Sequence, residues 1–395
     1  MSLDQLPFEE FYHEPSEIDE KAFIPLMVGY DGRLVGVLFN RYEDGHIFIS
    51  GQSGYGKTTL LSRIAATRAY MGHRVVIFDS SGAFTDEEIE KMFPAHIRRN
   101  QLTVHDVRTK GCPVNLFDLN GCTGKADKKT MIADMLCAAT DDLDKSQVRK
   151  LKTAISPLLD RSDKITLQNI IQALKTPPDP DHPQNLNPTY ECILARLGSL
   201  FEDINEYGMQ SQGWGTFFES AHPITIIRMR NSTSSKDNPL VDMLVASLYN
   251  YQAANHKVPL AIICDEIQDQ NFSPVSPNYQ MLAKTRKLGI SFIGSTLHYR
   301  TQGVAYGEAM ALADIRIFLK PTPNSIRLVA QEVGLDSAEG LARLKKMQVG
   351  DCIVSCNCYS KTEGRNIPAV LSGRVPSESD LPATDGHQYY GNARP

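Results

Sequence analysis

The segment ISGQSGYGKTTL, Ile49 to Leu60, sets Gly51, Gly56, Lys57 and Thr58 at the spacing GxxxxGK[ST]. These residue types at this spacing bind phosphate. Glycines let backbone N–H groups turn toward phosphate oxygens, and a helix starting at the lysine adds the positive end of its dipole. Gly51, Gln52, Ser53, Gly54, Tyr55 and Gly56 would form the cradle, with Lys57, Thr58 and Thr59 opening the helix. Lys57 would then reach the β- and γ-phosphates, and the Thr58 hydroxyl would ligate magnesium.

A second acidic site ends the run PLAIICDE at Asp265 and Glu266. A carboxylate at the tip of a buried strand can hold magnesium, and a carboxylate beside it can take a proton from an attacking water. Asp265 is accordingly assigned to the metal and Glu266 to the water. An isolated Asp-Glu pair more often caps the following helix. Here four apolar residues precede it and a phosphate loop shares the chain, which favours the functional reading. A glutamate that activates water points to hydrolysis rather than phosphoryl transfer to a metabolite.

Such residues need a sheet to hold them. Short apolar runs recur at 45–50 (GHIFIS), 74–79 (RVVIFD), 223–229 (PITIIRM), 259–265 (PLAIICD), 290–296 (ISFIGST) and 313–319 (ADIRIFL). Ile- and Val-rich runs of this length, alternating with helical spacing, predict strands of a parallel sheet buried on both faces. The fold class is therefore α/β. From residue 127 to about 207 helical patterning takes over, as in KKTMIADMLCAA and QVRKLKTAISPLLD, broken by the non-helical Pro-rich stretch TPPDPDHPQNLNP. The expected organisation is an acidic N-terminal arm (1–22), a first core part with the phosphate loop (23–126), a mostly helical insertion (127–207), a second core part with the Asp-Glu strand (208–375) and a flexible tail (376–395). Both ends read as extended segments ordered on a partner.

Composition narrows the class. With 42% hydrophobic and 22% charged residues, and no apolar run near bilayer length, the chain reads as a globular protein that does not itself insert into a membrane. Its acidic start is not a secretory signal, so a cytoplasmic location is expected. The eight cysteines are scattered and form no disulfide framework; Cys264 reads as a small buried thiol. Cys352, Cys356 and Cys358 share one face of a strand but lack a fourth ligand at zinc-site spacing, which favours a packed face. A net charge of -5 argues against a broad basic surface that binds nucleic acid indiscriminately, though it leaves room for a basic pore.

The phosphate loop, the stretch FDSSGAFT with Asp79 and Gly82, the strand ending in Asp265-Glu266 and TRKLGISFIGST together resemble the HerA–FtsK superfamily of P-loop motor ATPases. The resemblance covers roughly residues 24 to 375. It implies a RecA-like core with a mainly parallel sheet flanked by helices, ATP and Mg2+ as cofactors, and a homo-hexameric ring. In such a ring an arginine of one subunit reaches the γ-phosphate held by its neighbour; Arg286 is the first candidate by motif position, with Arg316 and Arg327 in reserve. The chain departs from the family pattern after Thr296. Leu297 stands where a γ-phosphate-sensing glutamine is usual, so the role is absent or has moved to Thr296 or His298.

Three functional readings follow. The first is a DNA translocase or helicase working with a nuclease or other effector. Positive side chains facing the ring's channel would then touch backbone phosphates, with GKADKKT (124–130) and KSQVRKLK (145–152) as candidates and solvated helix faces as the alternative. The second is a conjugation or type IV secretion ATPase that delivers DNA or protein to a membrane channel. The third is an ATP-binding scaffold or switch with little turnover.

Overall fold

A computed structural model describes residues 11, 13, 23–29, 31–38, 45–118, 124–138, 143–161, 165–175, 188–229, 239–255, 258–272, 276–284, 288–300 and 304–377. Its strands are β1 (Phe23–Val28), β2 (Leu34–Leu38), β3 (Ile47–Ser50), β4 (Arg74–Asp79), β5 (Leu102–Asp106), β6 (Ile224–Arg228), β7 (Leu260–Cys264), β8 (Ile290–Thr296), β9 (Ile315–Phe318), β10 (Asp351–Ser360) and β11 (Arg365–Arg374). The six predicted runs are β3, β4, β6, β7, β8 and β9. Among the described residues the strands form one sheet, in the order β2-β1-β11-β10-β9-β3-β8-β7-β4-β6-β5.

From β9 to β5 every pairing is parallel. β3, β7 and β8 are buried at every residue, which is why they read as unbroken apolar runs. Alternate side chains enter opposite layers. Phe48, Ile262 and Phe292 join one core, while Ile47, Ile49, Ile263 and Ile293 join the other. Helix Lys57–Tyr70 covers the second face with Leu60, Leu61, Ile64 and Ala65. Helices Lys125–Ala138, Lys145–Arg161, Leu167–Lys175 and Pro188–Tyr207 cover the first, contributing Leu136, Leu151, Ile170 and Ile193.

The remaining strands form an antiparallel flank made from both ends of the core. β10 pairs with β9, β11 runs beside β10 from Asp351↔Arg374 to Ser360↔Arg365, and β1 meets β11 at Val28↔Arg374. β1, β2 and β11 add to the predicted strands, as does β5, an edge strand in which His105 alone is buried and whose apolar signal is correspondingly thin. Cys352, Cys356 and Cys358 all enter the core shared with Leu60 and Ile64, with the Cys356 and Cys358 sulfurs 3.2 Å apart. Burial pushes the Cys352 thiol up, consistent with neutral packing.

Of the expected N-terminal arm, Phe11 and His13 belong to the described residues. Both are buried; His13 exchanges backbone hydrogen bonds with Leu34 and its ring stacks on Tyr359 at 5.2 Å. These two residues therefore pack on the chain itself rather than waiting for a partner. The tail from residue 378 and the Pro-rich stretch 176–187 lie outside the described residues. No helix among the described residues is long and apolar enough to cross a membrane.

Candidate functional site

The register pairs Ser50 with Thr296, Cys264 with Gly294 and Phe78 with Cys264, so β3, β8, β7 and β4 present their carboxyl ends side by side. β3 connects through helix Lys57–Tyr70 to β4, yet β8 and β7 stand between the two strands. Crevices at such switch points, outside the carboxyl ends, are where open α/β sheets bind ligands.

The loop leaving β3 is braced by both neighbouring strands. Gly51 N–H donates to the Thr296 carbonyl at 3.1 Å, Gln52 N–H to the Lys320 carbonyl at 2.9 Å, and the Gln52 amide to the Pro321 carbonyl at 2.8 Å. A Cβ on Gly51 would lie 2.6 Å from Leu319 Cβ, so only glycine lets the loop approach this closely. Gly54 and Gly56 take φ of 78° and 103°, a region that side chains disfavour. Gly350 N–H reaches the Tyr55 carbonyl at 3.4 Å, the Tyr55 ring lies 5.1 Å from Lys320 Nζ, and Ser53 is exposed.

Gly56 caps helix Lys57–Tyr70 without a side-chain hydrogen bond, and the first turn holds no acidic residue. Its leading N–H groups and dipole are thus available to an anion. Lys57, 6% exposed, donates to the Gly51 carbonyl at 3.1 Å and the Gln52 carbonyl at 3.4 Å, and lies 3.8 Å from Glu266 Oε1. The Thr58 hydroxyl is 3.5 Å from Asp265 Oδ2. Thr59 is half-buried, and its carbonyl accepts from Ser62.

Asp265 is 2% exposed and is fixed from several elements. Oδ1 accepts from the Ser295 hydroxyl of β8 and from Glu266 N–H at 3.1 Å; Oδ2 accepts from Ser81 at 3.3 Å. The turn after β4 that carries Ser81 is built on Asp79, whose carboxylate accepts N–H groups of Gly82, Ala83 and Phe84 at 2.8, 2.9 and 3.1 Å. Burial holds the Asp79 carboxyl above the usual range, opposed by those N–H groups and aided by the charge of Asp265.

Glu266 has φ 57° and ψ 55°, a left-handed conformation costing a non-glycine residue roughly 1–2 kcal/mol. Ile267 follows it into the core against Gly294, where a Cβ would meet Ile267 Cγ2 and Cδ1 at 2.9 Å. The Glu266 carboxylate faces Lys57 through Oε1 and accepts from the Gln268 amide through Oε2. Lys57, Thr58, Asp265 and Glu266 therefore lie together in this structure. Ser81, Ser295 and Gln268 were not foreseen. Their types are too common to stand out until strand order places them beside the two acids.

The residues residing in the donor set suit a phosphate-bound magnesium: one hydroxyl and one carboxylate suffice where phosphate oxygens and waters complete the shell. Among the described residues no group of three or more His, Cys, Asp or Glu forms a self-sufficient metal cage.

The other candidates are more scattered. Thr296 is buried, and its hydroxyl accepts from His298 N–H at 3.0 Å, while Leu297 and His298 are half-buried. Arg286 lies outside the described residues. Arg316 is paired with Glu332 at 3.1 Å, and Arg300 approaches the same carboxylate at 3.6 Å; Arg327 is exposed on helix Ile326–Glu332. In the basic runs, Lys125 pairs with Asp160, and Lys150 donates to the Thr189 hydroxyl at 3.1 Å and lies 5.7 Å from the Tyr190 ring. Lys145 and Arg149 are exposed. Lys125 and Lys150 therefore already have partners within the chain.

Residues 35–92 match the family described as the type IV secretion-system coupling protein DNA-binding domain. No curated protein matches the sequence. Among solved structures, VirB4 of Thermoanaerobacter pseudethanolicus aligns with a TM-score of 0.65 at 14% identity, over 91% of this chain and 98% of that one. The plasmid coupling protein TrwB in complex with ADP and Mg2+ aligns at 0.60 and 13%, over 89% and 90%. TrwB with the ATP analogue ADPNP aligns at 0.56 and 13%, over 85% and 87%. These likenesses show a RecA-like P-loop fold, and with the matched family they support the resemblance to the HerA–FtsK group.

Proposed function

We propose that this chain is an ATP-hydrolysing motor of the conjugation and type IV secretion kind, a homo-hexamer that moves DNA toward a membrane channel supplied by a partner. The observation that carries the reading is the convergence of Lys57, Thr58, Asp265 and Glu266 at the carboxyl ends of β3 and β7. The matched coupling-protein family and the VirB4 and TrwB folds support the choice of motor. The translocase reading with a nuclease keeps only the shared fold and site in its favour.

The backbone N–H groups of Gly51 to Thr59 and the uncapped helix end hold the ATP phosphates. Lys57 exchanges the Gly51 and Gln52 carbonyls and the Glu266 carboxylate for β- and γ-phosphate oxygens. Thr58 and Asp265 hold Mg2+, which when bound neutralises developing charge on the phosphates. Glu266 orients the attacking water and takes its proton. Arg286 is the candidate to reach across the subunit boundary.

Replacing Lys57 with alanine is expected to abolish both ATP binding and hydrolysis. Glu266→Gln should retain ATP and lose about 100- to 10,000-fold in turnover. Duplex DNA should stimulate the wild-type rate, and an integral membrane protein should co-purify. Undiminished turnover in Glu266→Gln would remove the general-base assignment. Little or no turnover, with DNA or without it, would return the chain to the scaffold reading.

A further inference from the structure

We propose that Gln268 is a positioning residue for Glu266: its amide holds one carboxylate oxygen so that the other stays aimed at the phosphate loop. This rests on the reading that Glu266 accepts the proton of the attacking water. Gln268 lies in the short 3-10 turn Ile267–Asp269, directly after the left-handed Glu266. That backbone reversal lets a side chain only two residues on fold back, and Gln268 Nε2 donates to Glu266 Oε2. The other end of the amide, Oε1, is buried with no hydrogen-bond partner among the described residues. The amide is therefore committed to the carboxylate and is not part of a wider network.

The chemistry favours an amide here. Lys57 already lies 3.8 Å from Glu266 Oε1. A neutral donor at Oε2 fixes the direction of the carboxylate without adding a second cation that would compete with Lys57 for it. Phosphate binding would draw Lys57 away from Oε1. Oε2 would keep Gln268, so the carboxylate would not gain freedom to rotate when Lys57 turns to phosphate. Position 297, at the end of the neighbouring strand, is a leucine and offers no amide to this site.

The test compares Gln268→Met, which keeps length without a donor, with the isosteric Gln268→Glu. Steady-state ATP hydrolysis gives kcat and KM, and affinity is measured with a fluorescent ATP analogue. In Gln268→Met, kcat should fall about tenfold or more with the analogue's Kd within about twofold of wild type. Gln268→Glu should lower kcat at least as far, since it keeps the length but replaces the donor with a like charge that repels the Glu266 carboxylate. Adding Gln268→Met to Glu266→Gln should cost nothing more.

Unchanged kcat in Gln268→Met, alongside an inactive Glu266→Gln, would overturn the proposal and leave the general base standing. Parallel loss of Kd and kcat in both Gln268 variants would also overturn it, by assigning Gln268 a structural role. Normal turnover in Glu266→Gln would instead refute the reading beneath it.

Discussion

Gly294→Ala tests whether the conformation of Glu266 is set by packing behind it. The added Cβ would lie 2.9 Å from Ile267 Cγ2 and Cδ1 and 3.0 Å from Phe48 Cε1, with Ile267 and Phe48 at 0% and 2% exposure. Overpacking a filled core costs about 1–3 kcal/mol, and an alanine returns roughly 0.4–1 kcal/mol by stiffening the unfolded chain. The net loss of stability is therefore up to about 2.5 kcal/mol. Ile267 is bonded to Glu266, so the motion that relieves the clash shifts the carboxylate. A displacement near 1 Å costs about 100-fold in rate, and we expect kcat to fall roughly 10- to 100-fold while nucleotide affinity holds. Ile267→Ala removes both clashing carbons. The double variant should show a stabilising coupling of about 0.5–3 kcal/mol in urea unfolding and recover part of its packing. Additive stabilities, or full turnover in Gly294→Ala alone, would refute the reasoning.

Asp79 predicts a pH signature. Its folded pKa is raised by burial, so its favourable contribution is complete below the unfolded carboxyl value, about 3.9, and is lost as pH rises through the folded pKa. Asp79→Asn should be destabilised most at acid pH, by about 1–3 kcal/mol because its amide would oppose Phe84 N–H, and less as pH rises; urea midpoints across pH 3 to 7 would show an opposite trend if the assignment is wrong. The arginines predict a contrast between variants. Arg316→Ala should lose about 1–2 kcal/mol, seen as a lower melting temperature, because its guanidinium is committed to Glu332. Arg286→Ala should fold normally, lose hydrolysis and regain some when mixed with Lys57→Ala; full activity on its own would eliminate it as the shared arginine.

Much of the parallel sheet was legible because burial on both faces leaves an unbroken apolar run, as in LAIIC and ISFIGST. The phosphate loop was legible for a different reason, since its chemistry needs fixed residue types at fixed spacing. The antiparallel flank was harder to read. β11 alternates buried and half-exposed residues only from Ala369 on, and although β10 is its hairpin neighbour, its other partner β1 comes from the far end of the core, so that pairing is a tertiary fact. Ser81 and Ser295 were invisible for the same reason. Both lie within quoted stretches, FDSSGAFT and TRKLGISFIGST, yet each meets Asp265 only because β4 and β8 flank β7.

The two neighbouring acids are held in different ways, and the difference fits their roles. Asp265 is anchored by hydroxyls from the turn after β4, from β8 and from helix Lys57–Tyr70, so its oxygens cannot move without disturbing several elements. A metal ligand benefits from such rigidity because coordination geometry is exacting. Glu266 instead rests between Gln268 and Lys57, and Lys57 is the group that phosphate must recruit. Nucleotide arrival therefore draws a partner away from Glu266, whereas at Asp265 it would bring Mg2+ to a carboxylate already fixed in place. A base whose partner is withdrawn only when substrate is present becomes competent at the moment it is needed. ADP without Mg2+ should therefore shift the carboxyl-carbon NMR resonance of Glu266 more than that of Asp265, and a larger shift at Asp265 would refute the contrast.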